Sequence, residues 1–138
     1  MLSYWQNRRA EKQAEKRRAE ERKASYNAKI KRLKSYKSKV ETYKENLTDE
    51  KNNYYNLSDT ESIAYKWIGE NYNDIWGKIN GDFDTSILQL IKDSDKLLDS
   101  VCDEITRLEN KVNDEVWLIG NIKSSLNSIG NEIEKWLN

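Results

Sequence analysis

The sequence predicts an all-α fold, a long antiparallel two-helix hairpin with coiled-coil-like packing, and three observations carry that prediction. The 138 residues include no proline and five glycines, so the chain lacks the punctuation that strand-rich or loop-rich folds need at every turn. Charged residues make up 35% and hydrophobic residues 36%, with a mean hydropathy of −1.02, which leaves no material for a thick core. Apolar residues recur at steps of three and four on both sides of a central Trp67-Ile68-Gly69, the mark of amphipathic helices. The expected organisation is a single hairpin domain over 1–138, with a first arm at about 3–57, a tip at about 58–82 and a second arm at about 83–137.

Charge supports folding back over a straight rod. The chain is neutral overall, yet residues 1–50 carry 15 Lys/Arg against 8 Asp/Glu, and the remainder carries 9 against 16. A basic arm laid antiparallel along an acidic one is attracted to it, and pairing of identical arms is disfavoured.

The first arm opens with Leu2, Tyr4 and Trp5 and continues into a tract whose only apolar residues are Ala10, Ala14, Ala19 and Ala24. Its Ala, Glu, Lys, Arg and Gln are the strongest helix formers, and neighbours such as Glu15/Arg18 and Lys16/Glu20 add small pairing contributions. From Tyr26 the seam is expected to run through Ile30, Leu33, Tyr36, Val40, Tyr43, Leu47, Tyr54 and Leu57, with tyrosines burying their rings and extending their hydroxyls to the edge. In the second arm it is expected through Phe83, Ile87, Leu90, Ser94, Leu97, Val101, Ile105, Leu108, Val112, Val116, Ile119, Ile122, Leu126, Ile129 and Ile133. This spacing lies between that of a heptad and that of a straight helix.

Between the arms, Ser58 and Glu61 fit a capping box that would start a fresh helix, and Asn80-Gly81-Asp82 offers a second turn. The bend is placed at Trp67-Ile68-Gly69. A glycine there can take the left-handed conformation that ends a helix, and a tryptophan two residues earlier can fold over the turn. The plainer alternative makes Trp67 a large core residue near a helix end. A bend at this place makes residues meet whose numbers add to about 137, setting Trp5 near Ile133 with Trp136 at the open end.

Several chemistries have no support in the residues. The absence of histidine removes His-based triads, His acid-base work and His metal sites, and no glycine-rich phosphate loop follows a strand. Cys102 sits beside Val101 and near Ile105, a position for a packing residue. Asp93, Asp95, Asp99, Asp103 and Glu104 spread around their helix as a solvated or ion-paired face. We therefore expect no enzyme, no cofactor and no metal, and a function that lies in binding. No apolar run has the length of a membrane span or a signal-peptide core, so a soluble protein without membrane insertion is expected. The basic tract from Arg8 to Lys23 looks superficially like a nucleic-acid-binding region, but Glu11, Glu15, Glu20 and Glu21 interrupt it and would repel phosphates; no nucleic-acid partner is expected.

The N-terminal MLSYWQNRRAEKQAEKRRAE, the tyrosine- and lysine-rich first arm, Trp67-Ile68-Gly69 and the regular Ile/Leu spacing of the second arm together resemble the YwqH-like family of small partner proteins encoded beside LXG toxins in Gram-positive bacteria, within the wider WXG-type hairpins of type VII (ESX) secretion. The resemblance covers essentially the whole chain. It implies a non-enzymatic partner that binds the helical N-terminal LXG domain of a cognate toxin as a targeting factor or chaperone for export, located in the cytoplasm or exported with its toxin. The hairpin-tip motif would be Trp67 and Gly69. The ESX export signal pairs an aromatic residue with an acidic one four positions later, near the end of the second arm. Only Tyr55 and Asp59 match that spacing, and they lie in the wrong arm, so a second small helical partner is expected to supply the signal. A competing interpretation is a structural coiled-coil adaptor that forms homo-oligomers when alone.

One stretch points to a partner surface. Val116-Trp117-Leu118-Ile119 sets four consecutive apolar residues around most of a helical turn, opposite Ala19 and Glu20, so at least one faces away from the first arm. With Ile122 and the basic residues Arg8, Arg9, Arg17 and Arg18, this gives an apolar anchor beside charges that can steer an acidic partner. The alternative is that Trp117 folds down over the small alanines.

Overall fold

In the computed structural model, the backbone is described for residues 1–68 and 71–138, and the side chains for residues 1–54, 77 and 81–138. The chain forms two α-helices, α1 (Leu2–Ile68) and α2 (Asn71–Leu137), packed against each other as an all-α hairpin with no strand among the described residues. α1 ends at Ile68 and α2 begins at Asn71, and the two residues between them lie outside the described ones. Gly69 itself and the Trp67 side chain lie outside the described residues, as do the side chains of Tyr55, Leu57, Ser58, Asp59 and Glu61. The helices are longer than the expected arms. The backbone of α1 is helical through Ser58–Glu61 and that of α2 through Asn80-Gly81-Asp82, so neither the capping box nor the second turn interrupts a helix. A capping box or an Asn-Gly pair marks a local preference that a continuing helical pattern can override.

Cross-helix contacts set the register. Arg22 pairs with Glu115, and the ring of Tyr54 lies 4.0 Å from that of Phe83; in both pairs the residue numbers add to 137, as the central bend requires. Lys44 with Asp95 and Lys34 with Glu109 at 3.7 Å run in the same antiparallel sense.

The hairpin divides into two packed units, residues 1–34 with 103–138 and residues 35–102. In the first, the buried residues are Ala19 and Ile30 from α1 and Ile105, Leu108, Ile119, Ile122, Ile129 and Ile133 from α2. In the second, the buried ones among the described residues are Val40, Ile87, Val101 and the polar Ser94, whose hydroxyl donates to the Leu90 carbonyl at 2.8 Å. That bond satisfies a hydroxyl that would otherwise sit unpaired in an apolar seam.

The buried face follows a strict seven-residue repeat and corrects the expected seam at five positions. On α2 the inward residues are Ile87, Ile91, Ser94, Leu98, Val101, Ile105, Leu108, Val112, Glu115, Ile119, Ile122, Leu126, Ile129 and Ile133, all buried or half-buried. Leu90, Leu97 and Val116 were expected there and are exposed instead. On α1 the inward positions include Lys37 and Lys44, while Tyr36 and Tyr43 are exposed. A lysine can lay its methylene stem along the seam and carry its ammonium out to water. Lys44 does so and meets Asp95. Where two apolar residues are adjacent, as in Leu90-Ile91 and Leu97-Leu98, steps of three and four are both available, and only the repeat carried in from further along the helix chooses between them.

Candidate partner-binding surfaces

The stretch Val116–Ile119 divides as the heptad requires. Ile119 faces α1 and is buried, as is Ile122 one turn on, with only 2% of its surface exposed. Both were expected to contribute to the partner surface; their seam positions point them at α1 and leave them no surface to offer. Leu118 is half-buried. Val116 and Trp117 point outward, and Trp117 is 71% exposed. The indole therefore does not fold over the alanines opposite. Ala19 is fully covered without it, because a methyl side chain lets the facing helix approach closely.

The charges beside this stretch come mainly from α1. Arg22 Nε and Nη2 donate to Glu115 Oε1 and Oε2 at 2.7 and 3.1 Å, a bidentate fork across the helices. Glu115 occupies a seam position with its side chain only 12% exposed, so the fork supplies the counter-charge that a carboxylate held there requires. The same hydrogen bond, with the nearby negative charge, raises the pKa of Arg22 further above its ordinary value. Of the arginines expected to steer a partner, Arg8 lies 4.0 Å from Glu11. Arg9, Arg17 and Arg18 are exposed and form no ion pair among the described residues. Glu15 pairs with Lys12 at 2.9 Å rather than with Arg18, and Lys16 reaches Glu20 at 3.9 Å. Three arginine side chains thus remain available on the helix that packs against the Trp117 segment.

A second apolar surface, which the sequence pattern had assigned to the seam, lies in the unit of residues 35–102. Tyr36, Val40, Tyr43, Leu90 and Leu97 line an open groove of about 370 Å³. Leu47, Phe83, Ile87 and Leu90 line another of about 300 Å³ that shares Leu90 with the first. The signal that could have found them is the position one before each seam residue: Tyr36 precedes Lys37, Tyr43 precedes Lys44, Leu90 precedes Ile91 and Leu97 precedes Leu98.

No helix among the described residues is long and apolar enough to cross a membrane. Two packed helices with apolar residues left outside their seam define an all-α helical hairpin with candidate surfaces for further helices. The chain belongs to the YwqH-like family, whose model matches residues 5–131. Comparison with curated proteins and with solved structures gives no match.

Proposed function

We propose that this YwqH-like chain is a non-enzymatic partner of a type VII secreted toxin, binding the toxin's helical N-terminal LXG domain as a targeting factor or chaperone for export. Family membership over residues 5–131 supports a small helical protein of this kind. The observation that carries the reading is Trp117, which stands 71% exposed beside the exposed Val116 on a helix whose other apolar residues are largely turned inward in this unit. A tryptophan held on a rigid helix presents a large contact area at little entropic cost, the usual character of an interface anchor. Arg9, Arg17 and Arg18 supply charge to draw in an acidic partner and set its orientation. Acting before export, the protein would work in the cytoplasm or leave with its toxin, and a second small helical partner would provide the export signal.

Calorimetric titration of the full chain against the cognate LXG domain tests the reading. Trp117→Ala is expected to weaken binding by about tenfold or more with the helix content unchanged, since the indole is not part of the packed seam. An unchanged affinity rejects Trp117 as the anchor, and no binding by the wild-type chain rejects the toxin partner.

A further inference from the structure

The inward positions of α1 change character along the unit of residues 1–34 with 103–138. Tyr26, Ile30 and Leu33 set apolar side chains toward α2, whose Ile105 and Leu108 are buried. Followed back along α1, the same repeat falls on Lys23, Ala19, Lys16, Lys12 and Arg9, while α2 still presents Ile119, Ile122, Leu126 and Ile129. The stems of Lys12 and Lys16 serve as cover there, with side chains only 23% and 31% exposed. Holding such long side chains still costs more entropy than holding an aliphatic one. The next seam position is Trp5, whose indole Nε1 is covered and finds no hydrogen-bond acceptor among the described residues, a cost that contact with water removes.

The ion pairs of this stretch stay with α1 if it leaves α2. Arg8 pairs with Glu11, Lys12 with Glu15 and Lys16 with Glu20, all within the one helix. A segment so rich in Ala, Glu, Lys, Arg and Gln keeps its helix with little packing, and as an extension of α1 it needs no new nucleus. Among the described residues, the one ion pair that crosses from residues 1–22 to α2 is the Arg22–Glu115 fork, at the border with the apolar part of the α1 seam. We propose that residues 1–22 form a releasable helical arm latched by Arg22 and Glu115, covering Ile119, Ile122, Leu126 and Ile129 at rest and uncovering them when it parts from α2. Sparse apolar packing makes such a partial opening accessible below global unfolding, and Tyr26, Ile30 and Leu33 keep the remainder of the unit closed. The inference does not rest on the toxin-partner reading.

Distances between pairs of spin labels in the full chain, measured by pulsed electron resonance, are the test. One pair, on Gln13→Cys and Ser124→Cys, uses exposed positions across from each other and reports the arm; a second, on Lys31→Cys and Thr106→Cys, likewise exposed, reports the closed remainder. Cys102→Ser keeps the native thiol unlabelled. The arm pair is expected to be mainly close, with a minor far population. Arg22→Leu should raise that population by about tenfold or more, because the Glu115 carboxylate left without its counter-charge regains water when the arm opens. Adding Lys12→Leu and Lys16→Leu, which give α1 an aliphatic seam, should return the arm pair to the close distance, a rescue that a misfolded chain could not show. The second pair should stay close throughout. An arm pair that remains wholly close in Arg22→Leu overturns the proposal. So does a far population that the leucines do not reduce, or a second pair that lengthens together with the first, which would mean that the unit opens as a whole.

Discussion

The two packed units use their apolar residues differently. Residues 1–34 with 103–138 bury one aliphatic after another from α2, against an α1 that contributes Ala19, Ile30 and lysine stems. Trp117 is left on the outward face of α2 there, with Val116 and the terminal Trp136 and Leu137 also exposed. Among the described residues of 35–102, Val40, Ile87, Val101 and a serine are buried, and two tyrosines and two leucines stand at half exposure on one flank. The difference teaches that a heptad specifies which residues face the partner helix without specifying that they be the most apolar ones. Where lysine occupies the seam and tyrosine the flank, a hairpin keeps its register and leaves a groove beside it.

The strongest test of that contrast is a pair of aliphatic truncations. Ile122 is essentially fully buried and Leu97 is 40% exposed. Ile122→Ala is expected to cost about 2–5 kcal/mol, from lost transfer free energy and the cavity left behind. Leu97→Ala should cost about 1 kcal/mol or less. Denaturant unfolding of both variants, with amide exchange to localise the loss, measures the difference. Equal costs would mean that Leu97 packs as a core residue and that the groove is not open.

The Arg22–Glu115 fork should show a difference of sign. Arg22→Leu leaves a largely covered carboxylate without its counter-charge and is expected to lower the melting temperature. Adding Glu115→Leu puts an aliphatic at the seam position and is expected to raise it to wild type or above, because a carboxylate at a largely covered position, even paired, is commonly no better than a well-packed apolar side chain. Thermal melts of the single and double variants decide. A double variant less stable than Arg22→Leu alone would show that the fork is worth more than the packing that replaces it.

Much of this fold was legible in the residues, for physical reasons that can be named. The absence of proline, the complementary charge of the arms and the central Trp67-Ile68-Gly69 specified two antiparallel helices and their bend, and the pairing of Arg22 with Glu115 keeps that register. The flank was not legible. Stepping from one apolar residue to the next prefers Tyr36 to Lys37 and Leu90 to Ile91, since a hydropathy pattern does not weigh the stem of a lysine apart from its charge. The candidate partner stretch was legible in part. Four consecutive apolar residues required one to face outward, but which of them did so depended on the heptad phase, and that phase put Glu115 rather than Val116 inside.

A smaller effect concerns Ser94, a buried serine at a seam position of α2. Ser94→Ala removes a hydroxyl bonded to the Leu90 carbonyl, an oxygen that remains within the helix's own bonding ladder, and it installs a better helix former. A gain of about 0.5 kcal/mol is expected. A loss of that size in denaturant unfolding would mean that the hydroxyl bond outweighs helix propensity at this position.

The smallest expected effect is a titration. Glu104 accepts hydrogen bonds from Arg107 Nη2 and Nε at 2.5 and 2.8 Å, and that bonding holds its carboxyl below the usual glutamate range; the charges of Arg107 and Lys29 act in the same direction, and desolvation opposes them. A carboxyl whose pKa is depressed on folding contributes stability that is present above its unfolded pKa and is lost as pH falls through its folded value. The pair is an exposed one between residues three apart on one helix, so its contribution is small and screened by salt. Arg107→Gln is expected to move the Glu104 midpoint upward, toward the unfolded value, in a carboxyl-detected NMR titration. The stability difference between wild type and variant should then shrink as the pH drops through the acidic range and vanish once the carboxyl is protonated in both states. A midpoint unmoved by Arg107→Gln would show that the arginine does not set the ionisation of Glu104, and the pH dependence expected from this pair would go with it.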